Sequence, residues 1–265
     1  MKRVTLGALD YGVSFSVDRT LRQLLERGRL SAVGCLVASD LWSREFKPLQ
    51  EVVDGLAHRA LTGVTLAFSG DRVRPLSVRM RATYGDVMPA ASKWAHRSML
   101  RLLPDELLKE EAEAQIRRYS DLMGRAPDLV AVRDGLLAHP AIARIVTDAV
   151  RVNEGQTLPV LISPTDVPRL QNRLVKHAAK AGLKVLPKGP SLPETSDPER
   201  LHLLLKRHFD GLADMSFVAS IPGRADNRLR RDEPRDKIAI RECQREVLSS
   251  QRFFQTLVEK DVYLH

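Results

Sequence analysis

A chain of 265 residues, 43% of them hydrophobic and 28% charged, is long enough for one large domain with a substantial core and too apolar for wholesale disorder. Its formal charge is +9, but 31 Arg and 11 Lys are spread among 33 acids, and only Arg228 to Arg235 forms a dense cluster. Aromatics make up 5%, too few for evident stacking platforms, which argues against nucleic acid as the partner. Cys35 and Cys243 stand alone without metal-ligand spacing, as expected of a reducing compartment. No apolar run reaches the roughly 18 residues a membrane helix needs, and Asp10 interrupts the early apolar run that a signal peptide would require. A cytoplasmic protein without a membrane span is expected.

The elements follow in order. Val4 to Leu9 reads as a buried strand that stops at Asp10-Tyr11-Gly12. A helix follows, with Val17, Leu21, Leu24 and Leu25 on one face and Gly28 as its stop. Leu30 to Ala38 is a second buried strand, Trp42 to Ala60 a helical return, and Gly63 to Ser69 a third strand. Residues 78–103 form a basic excursion, and Pro104 to Met123 is an amphipathic helix stopped by Gly124. Strands follow at Leu129, Leu158 to Ile162, Leu183 to Leu186 and Met215 to Ser220, separated by helices over Leu170 to Ala181 and Leu201 to Leu212. Pro187 to Glu199 is a Pro-rich polar tract, read as a linker or a mobile lid. A helix over Ile238 to Phe254 and a strand at Val262 to Leu264 close the chain. Strands alternating with amphipathic helices argue for βαβ units. In such folds ligands bind outside the carboxyl ends of the strands, so Asp10 either takes part in chemistry there or caps the turn into its helix.

The run Leu6 to Ser39, "LGALDYGVSFSVDRTLRQLLERGRLSAVGCLVAS", resembles the opening of the YdjC-like (ChbG/HpnK) carbohydrate deacetylases. The likeness continues through Arg74-Pro75-Leu76-Ser77, Gly124 with Pro127-Asp128, Pro140, Pro222-Gly223 and the C-terminal helix, covering Arg3 to Leu264. It implies a single α/β domain over 1–265, a distorted (β/α) barrel of about seven strands, with 78–103 as an insertion beside the barrel mouth; 187–199 is then a flexible loop or lid on that domain. Leu6, Val33, Leu36, Val64, Leu66, Leu129, Val160 and Phe217 should form its core.

The same resemblance marks where the catalytic pattern fails. The family's paired aspartates, base then metal ligand, read Leu9-Asp10 here; its histidine ligand on the third strand is Thr65; and its histidine-rich fourth strand carries Arg133 and Gly135, with Asp134 between. The histidine that acts as general acid before Pro-Gly is Ile221. A threonine is a poor ligand and an arginine repels a cation, so no transition metal and no cofactor are expected. Asp10, Arg133, Asp134 and His139 are the candidates for any remaining chemistry, with Tyr11, Thr65, Ser69 and Arg224 as ligand contacts. Asp10 beside Arg133 would make a buried ion pair. His139, before Pro140, serves either as a capping residue or as a base. The ligand implied is a saccharide or an anionic small molecule, bound without hydrolysis; a protein partner or homodimer, a metal-independent enzyme on the old site, and a residual N-acetyl sugar deacetylase are the alternatives.

Overall fold

A computed structural model of the protein describes residues 1–151 and 158–265. The fold is α/β. Its elements are β1 (Lys2–Tyr11), α1 (Phe15–Glu26), β2 (Ala32–Cys35), α2 (Trp42–Gly55), β3 (Leu61–Leu66), α3 (Val78–Tyr84), α4 (Ala91–Met99), α5 (Asp105–Met123), β4 (Leu129–Val132), a 3-10 segment (Arg133–Ala138), α6 (Pro140–Arg151), β5 (Val160–Ile162), α7 (Pro168–Lys180), β6 (Val185–Leu186), α8 (Pro198–Gly211), β7 (Ser216–Ala219), α9 (Asn227–Asp232), α10 (Arg235–Ser249), α11 (Gln251–Glu259) and β8 (Val262–Leu264). The strand order is β6-β5-β4-β3-β2-β1-β7, with β8 also on β1, which is the parallel βα succession of the distorted (β/α) barrel class. The chain divides into two compact units.

The first unit comprises Met1–Val33, Arg44–Leu61 and Lys188–His265. β1 is its centre, paired in parallel with β7 from Val4↔Ser216 to Gly7↔Ala219 and with β8 from Lys2↔Val262 to Val4↔Leu264. Val4, Thr5, Leu6, Gly7 and Ala8 are buried without a break, as an all-parallel strand covered on both faces requires. The Ser14 side chain caps α1 by accepting from the Val17 N–H, and Val17, Leu21, Leu24 and Leu25 are its buried stripe. The Pro-rich tract is tied to β7: Gly189 N–H donates to Phe217 C=O at 2.9 Å and Leu192 N–H to Ala219 C=O at 2.8 Å. The C-terminal helix breaks at Ser250, which is extended and caps α11 by accepting from Phe253 N–H. An apolar period cannot reveal that break.

The second unit comprises Gly34–Ser43 and Thr62–Pro187. β3, β4, β5 and β6 pair in parallel, with registers Gly63↔Leu129, Leu129↔Val160 and Leu161↔Val185. Val160 is half-buried, against the expectation, because it opens its strand; the other seven expected core residues are buried. α5 contributes Leu108, Ala112, Ile116 and Tyr119 to the core, and two buried polar residues on the same helix do positional work. The Gln115 amide bonds both the N–H and the C=O of Ala67, at 3.0 and 2.9 Å, where β3 has ended. The Glu111 carboxylate accepts from the N–H groups of Leu76 and Ser77, fixing the segment that enters α3. Within 78–103, Trp94 is fully buried and its indole N–H donates to Phe68 C=O at 2.5 Å, so α4 docks through one side chain.

Candidate functional site

In the first unit, β1 delivers Asp10 to its carboxyl end. The ion pair expected for Asp10 forms with Arg241 of α10: Nη1 to Oδ2 is 2.7 Å, a charge contact rather than a well-directed hydrogen bond. Arg241 also grips Glu233 with two hydrogen bonds, Nε to Oε2 at 2.6 Å and Nη2 to Oε1 at 2.8 Å, and donates to Ile221 C=O at 3.3 Å. Its side chain is 2% exposed. Burial alone would disfavour the guanidinium charge, but Asp10 and Glu233 outweigh it and hold the Arg241 pKa above its ordinary value. Arg133 is instead paired with its neighbour Asp134 at 3.7 Å.

Asp18 lies beneath this turn. It is fully buried and accepts from Gly12 N–H at 2.6 Å. Burial pushes its pKa well above the usual aspartate range; the Gly12 bond opposes the shift, and the nearby Glu45 and Asp10 charges add to it. Tyr11 is fully buried, with its hydroxyl donating to Glu45 C=O at 2.8 Å and accepting from Arg22 at 2.6 Å. That hydroxyl is a structural tie between α1 and α2, not a surface group. Arg224 is exposed just past Pro222-Gly223, and the neighbouring Arg228 donates to Val13 C=O at 3.0 Å.

In the second unit, Thr65 is buried on β3, and its hydroxyl has no hydrogen-bond partner among the described residues. A buried hydroxyl left so costs about 1–3 kcal/mol. After β4 the chain turns sharply: Asp134 and Gly135 both take left-handed backbone, at φ 58° and 67°. Aspartate tolerates that conformation better than most residues but still at about 1 kcal/mol. The turn is held by Ser69, whose hydroxyl donates to the Asp134 carboxylate. Gly70 is at φ +110°, and a Cβ there would lie 3.3 Å from Arg133 Nη1, so the guanidinium rests against a backbone only glycine supplies. The Arg133 side chain is 36% exposed. His139 joins the 3-10 segment to α6: its N–H donates to Leu136 C=O and its C=O accepts from Ala143 N–H. Thr65, Ser69, Arg133 and Asp134 thus share the ends of β3 and β4.

Sequence reasoning missed Arg241, Glu233 and Asp18. A signal for Arg241 existed, since Ile238, Arg241, Gln244 and Leu248 share the buried face of α10 and a charge on an apolar stripe demands a partner.

The strand order and these strand-end groups define a parallel α/β protein of the barrel class. A solved structure of a candidate cellobiose-phosphate cleavage protein from Enterococcus faecalis is similar over 100% of this chain and 97% of that one, with a TM-score of 0.77 and 16% identity, which speaks for the fold alone. No curated protein sequence matches. The family model described as YdjC-like protein matches residues 3–259, and the chain belongs to the YdjC-like family.

The divalent metal that the family resemblance implies does not fit the residues present. Among the described residues no group of three or more His, Cys, Asp or Glu is arranged to hold an ion. Asp10 already neutralises a buried arginine, and Thr65 and Arg133, at the positions the resemblance assigns to further ligands, offer a neutral hydroxyl and a guanidinium with no lone pair to give.

Proposed function

We propose that this protein binds an anionic, glycan-like ligand without metal-dependent deacetylation, as a catalytically degenerate member of its family. The observation that carries the reading is Asp10, whose carboxylate is held by the buried Arg241. Leucine at the base position and isoleucine at the acid position support it, since neither exchanges a proton. Arg133 supplies the cationic group: its planar fork suits phosphate or carboxylate, and Ser69 and Asp134 hold the turn that presents it. The name of the Enterococcus faecalis neighbour makes a phosphorylated disaccharide the first ligand to try.

The test is calorimetric titration of the purified protein with cellobiose phosphate, beside elemental analysis and an acetate-release assay on N-acetylated chitooligosaccharides. We expect binding that Arg133→Ala weakens about tenfold or more, substoichiometric zinc, nickel and cobalt, and no acetate. Binding that survives Arg133→Ala overturns the pocket reading. Stoichiometric metal with acetate release overturns the degeneracy, and turnover abolished by Asp10→Asn identifies a metal-independent enzyme. A protein partner or homodimer is the second reading, favoured by the exposed Val78, Val87, Met99, Leu100 and Leu102 of residues 78–103. Concentration-dependent sedimentation tests it.

A further inference from the structure

Within the second unit, the start of α6 and the inner face of α7 line an open cleft. Leu137, Ala143, Leu170 and Leu174 form its apolar walls, and Arg173 and His177 are the cationic or titratable groups on it. The spacing explains why they meet. Leu170, Arg173, Leu174 and His177 stand at i, i+3, i+4 and i+7 of α7, which is one helix face. The cleft is also bordered by the residues following β4 and by the turn following β5, the strand ends where parallel α/β folds place ligands.

Two observations show that its polar groups are unspent. Arg173 pairs with no acid among the described residues. His177 Nε2 is buried and lacks a hydrogen-bond partner there, an arrangement native proteins rarely leave unmet. Apolar walls with one guanidinium and one imidazole at a single edge fit a particular chemistry. A dianion would be poorly desolvated against leucines, and a neutral hydrocarbon would leave both nitrogens unmet.

We propose that this cleft is a binding site for a small organic monocarboxylate with a compact apolar body, separate from the strand-end cluster around Arg133. The carboxylate receives the Arg173 fork, a rotation of the His177 ring brings its buried Nε2–H to the same group, and the hydrocarbon lies on Leu137, Leu170 and Leu174.

The test uses the full chain and benzoate, followed by backbone NMR shifts, with benzyl alcohol and inorganic phosphate as comparison probes. We expect saturable shifts confined to α6, α7 and the 3-10 segment, with a dissociation constant of about 1 mM. Arg173→Gln, at an exposed position, should weaken benzoate about tenfold while leaving the fold intact. Ala143→Leu should block the cleft and abolish the shifts; circular dichroism checks that it folds. The proposal is overturned by no saturation up to about 20 mM benzoate, by benzyl alcohol or phosphate binding as well as benzoate, or by shifts that Arg173→Gln leaves unchanged.

Discussion

Replacing Arg241 by methionine is the sharpest probe of the strand-end network. The guanidinium is 2% exposed and serves three acceptors, so methionine fills much of the volume but leaves two carboxylates and a carbonyl without their donor. Stranding one side of a buried ion pair costs about 3–5 kcal/mol. Two features pull the figure to the lower end: Asp10 is 21% exposed and can hydrate, and Glu233 keeps Lys237 at 2.9 Å. About 3 kcal/mol is therefore expected at pH 7. With an unfolding entropy of about 2.1 cal/mol/K per residue, this chain should lose about 5 °C in melting temperature. Asp10→Asn added to Arg241→Met should recover part of the loss, because one stranded charge is gone. The pH dependence has a defined sign. Burial favours the neutral form of Glu233, but Arg241 and Lys237 together hold its pKa below the ordinary glutamate value. Stability from that lowering is present above the unfolded pKa and is lost as pH falls through the folded one. The gap between wild type and Arg241→Met should therefore narrow on acidification. Urea unfolding monitored from pH 7 down to about 3 measures it. A variant within about 0.5 kcal/mol of wild type at pH 7, or a gap that widens in acid, refutes the reasoning.

Asp18→Asn should stabilise the protein at neutral pH. The folded pKa of Asp18 is raised, so its ionisation opposes folding increasingly as pH climbs from the unfolded value toward the folded one. Asparagine keeps the acceptor for Gly12 N–H and turns an amide donor toward the nearby acids, so its advantage in thermal melts should grow from pH 4 to 7. Gly63→Ala should prevent normal folding, since its Cβ would sit 1.9 Å from Leu129 C=O on the neighbouring strand; soluble, cooperatively melting protein would contradict this. Trp94→Ala removes the anchor of α4 and should cost about 3–5 kcal/mol locally, read as faster proteolysis within residues 78–103 with little change in the global melt.

Much of this architecture was legible in the linear chain because its determinants are local. The apolar run ending at Asp10, the stripe Val17, Leu21, Leu24, Leu25, and the left-handed stops at Gly28 and Gly124 depend on neighbours within a few residues. The family motifs placed Asp10, Thr65 and Arg133 at strand ends for the same reason, since motif spacing is set by local strands and turns. Partners could not be read that way. Asp10 is bound by a residue 231 positions away, and Arg133 by the residue beside it, because a buried charge is matched by whatever the packing of α10 or the turn after β4 brings within reach. Tyr11 illustrates the same divide. As a residue next to a strand-end aspartate it resembled a ligand contact, yet the packing of α1 against α2 buries its hydroxyl between Arg22 and the Glu45 carbonyl. Periodicity and turn chemistry act over single turns of chain and so are carried by the sequence alone; the pairing of charges is a long-range, distance-dependent energy, and it exists only once the strands and helices have been packed.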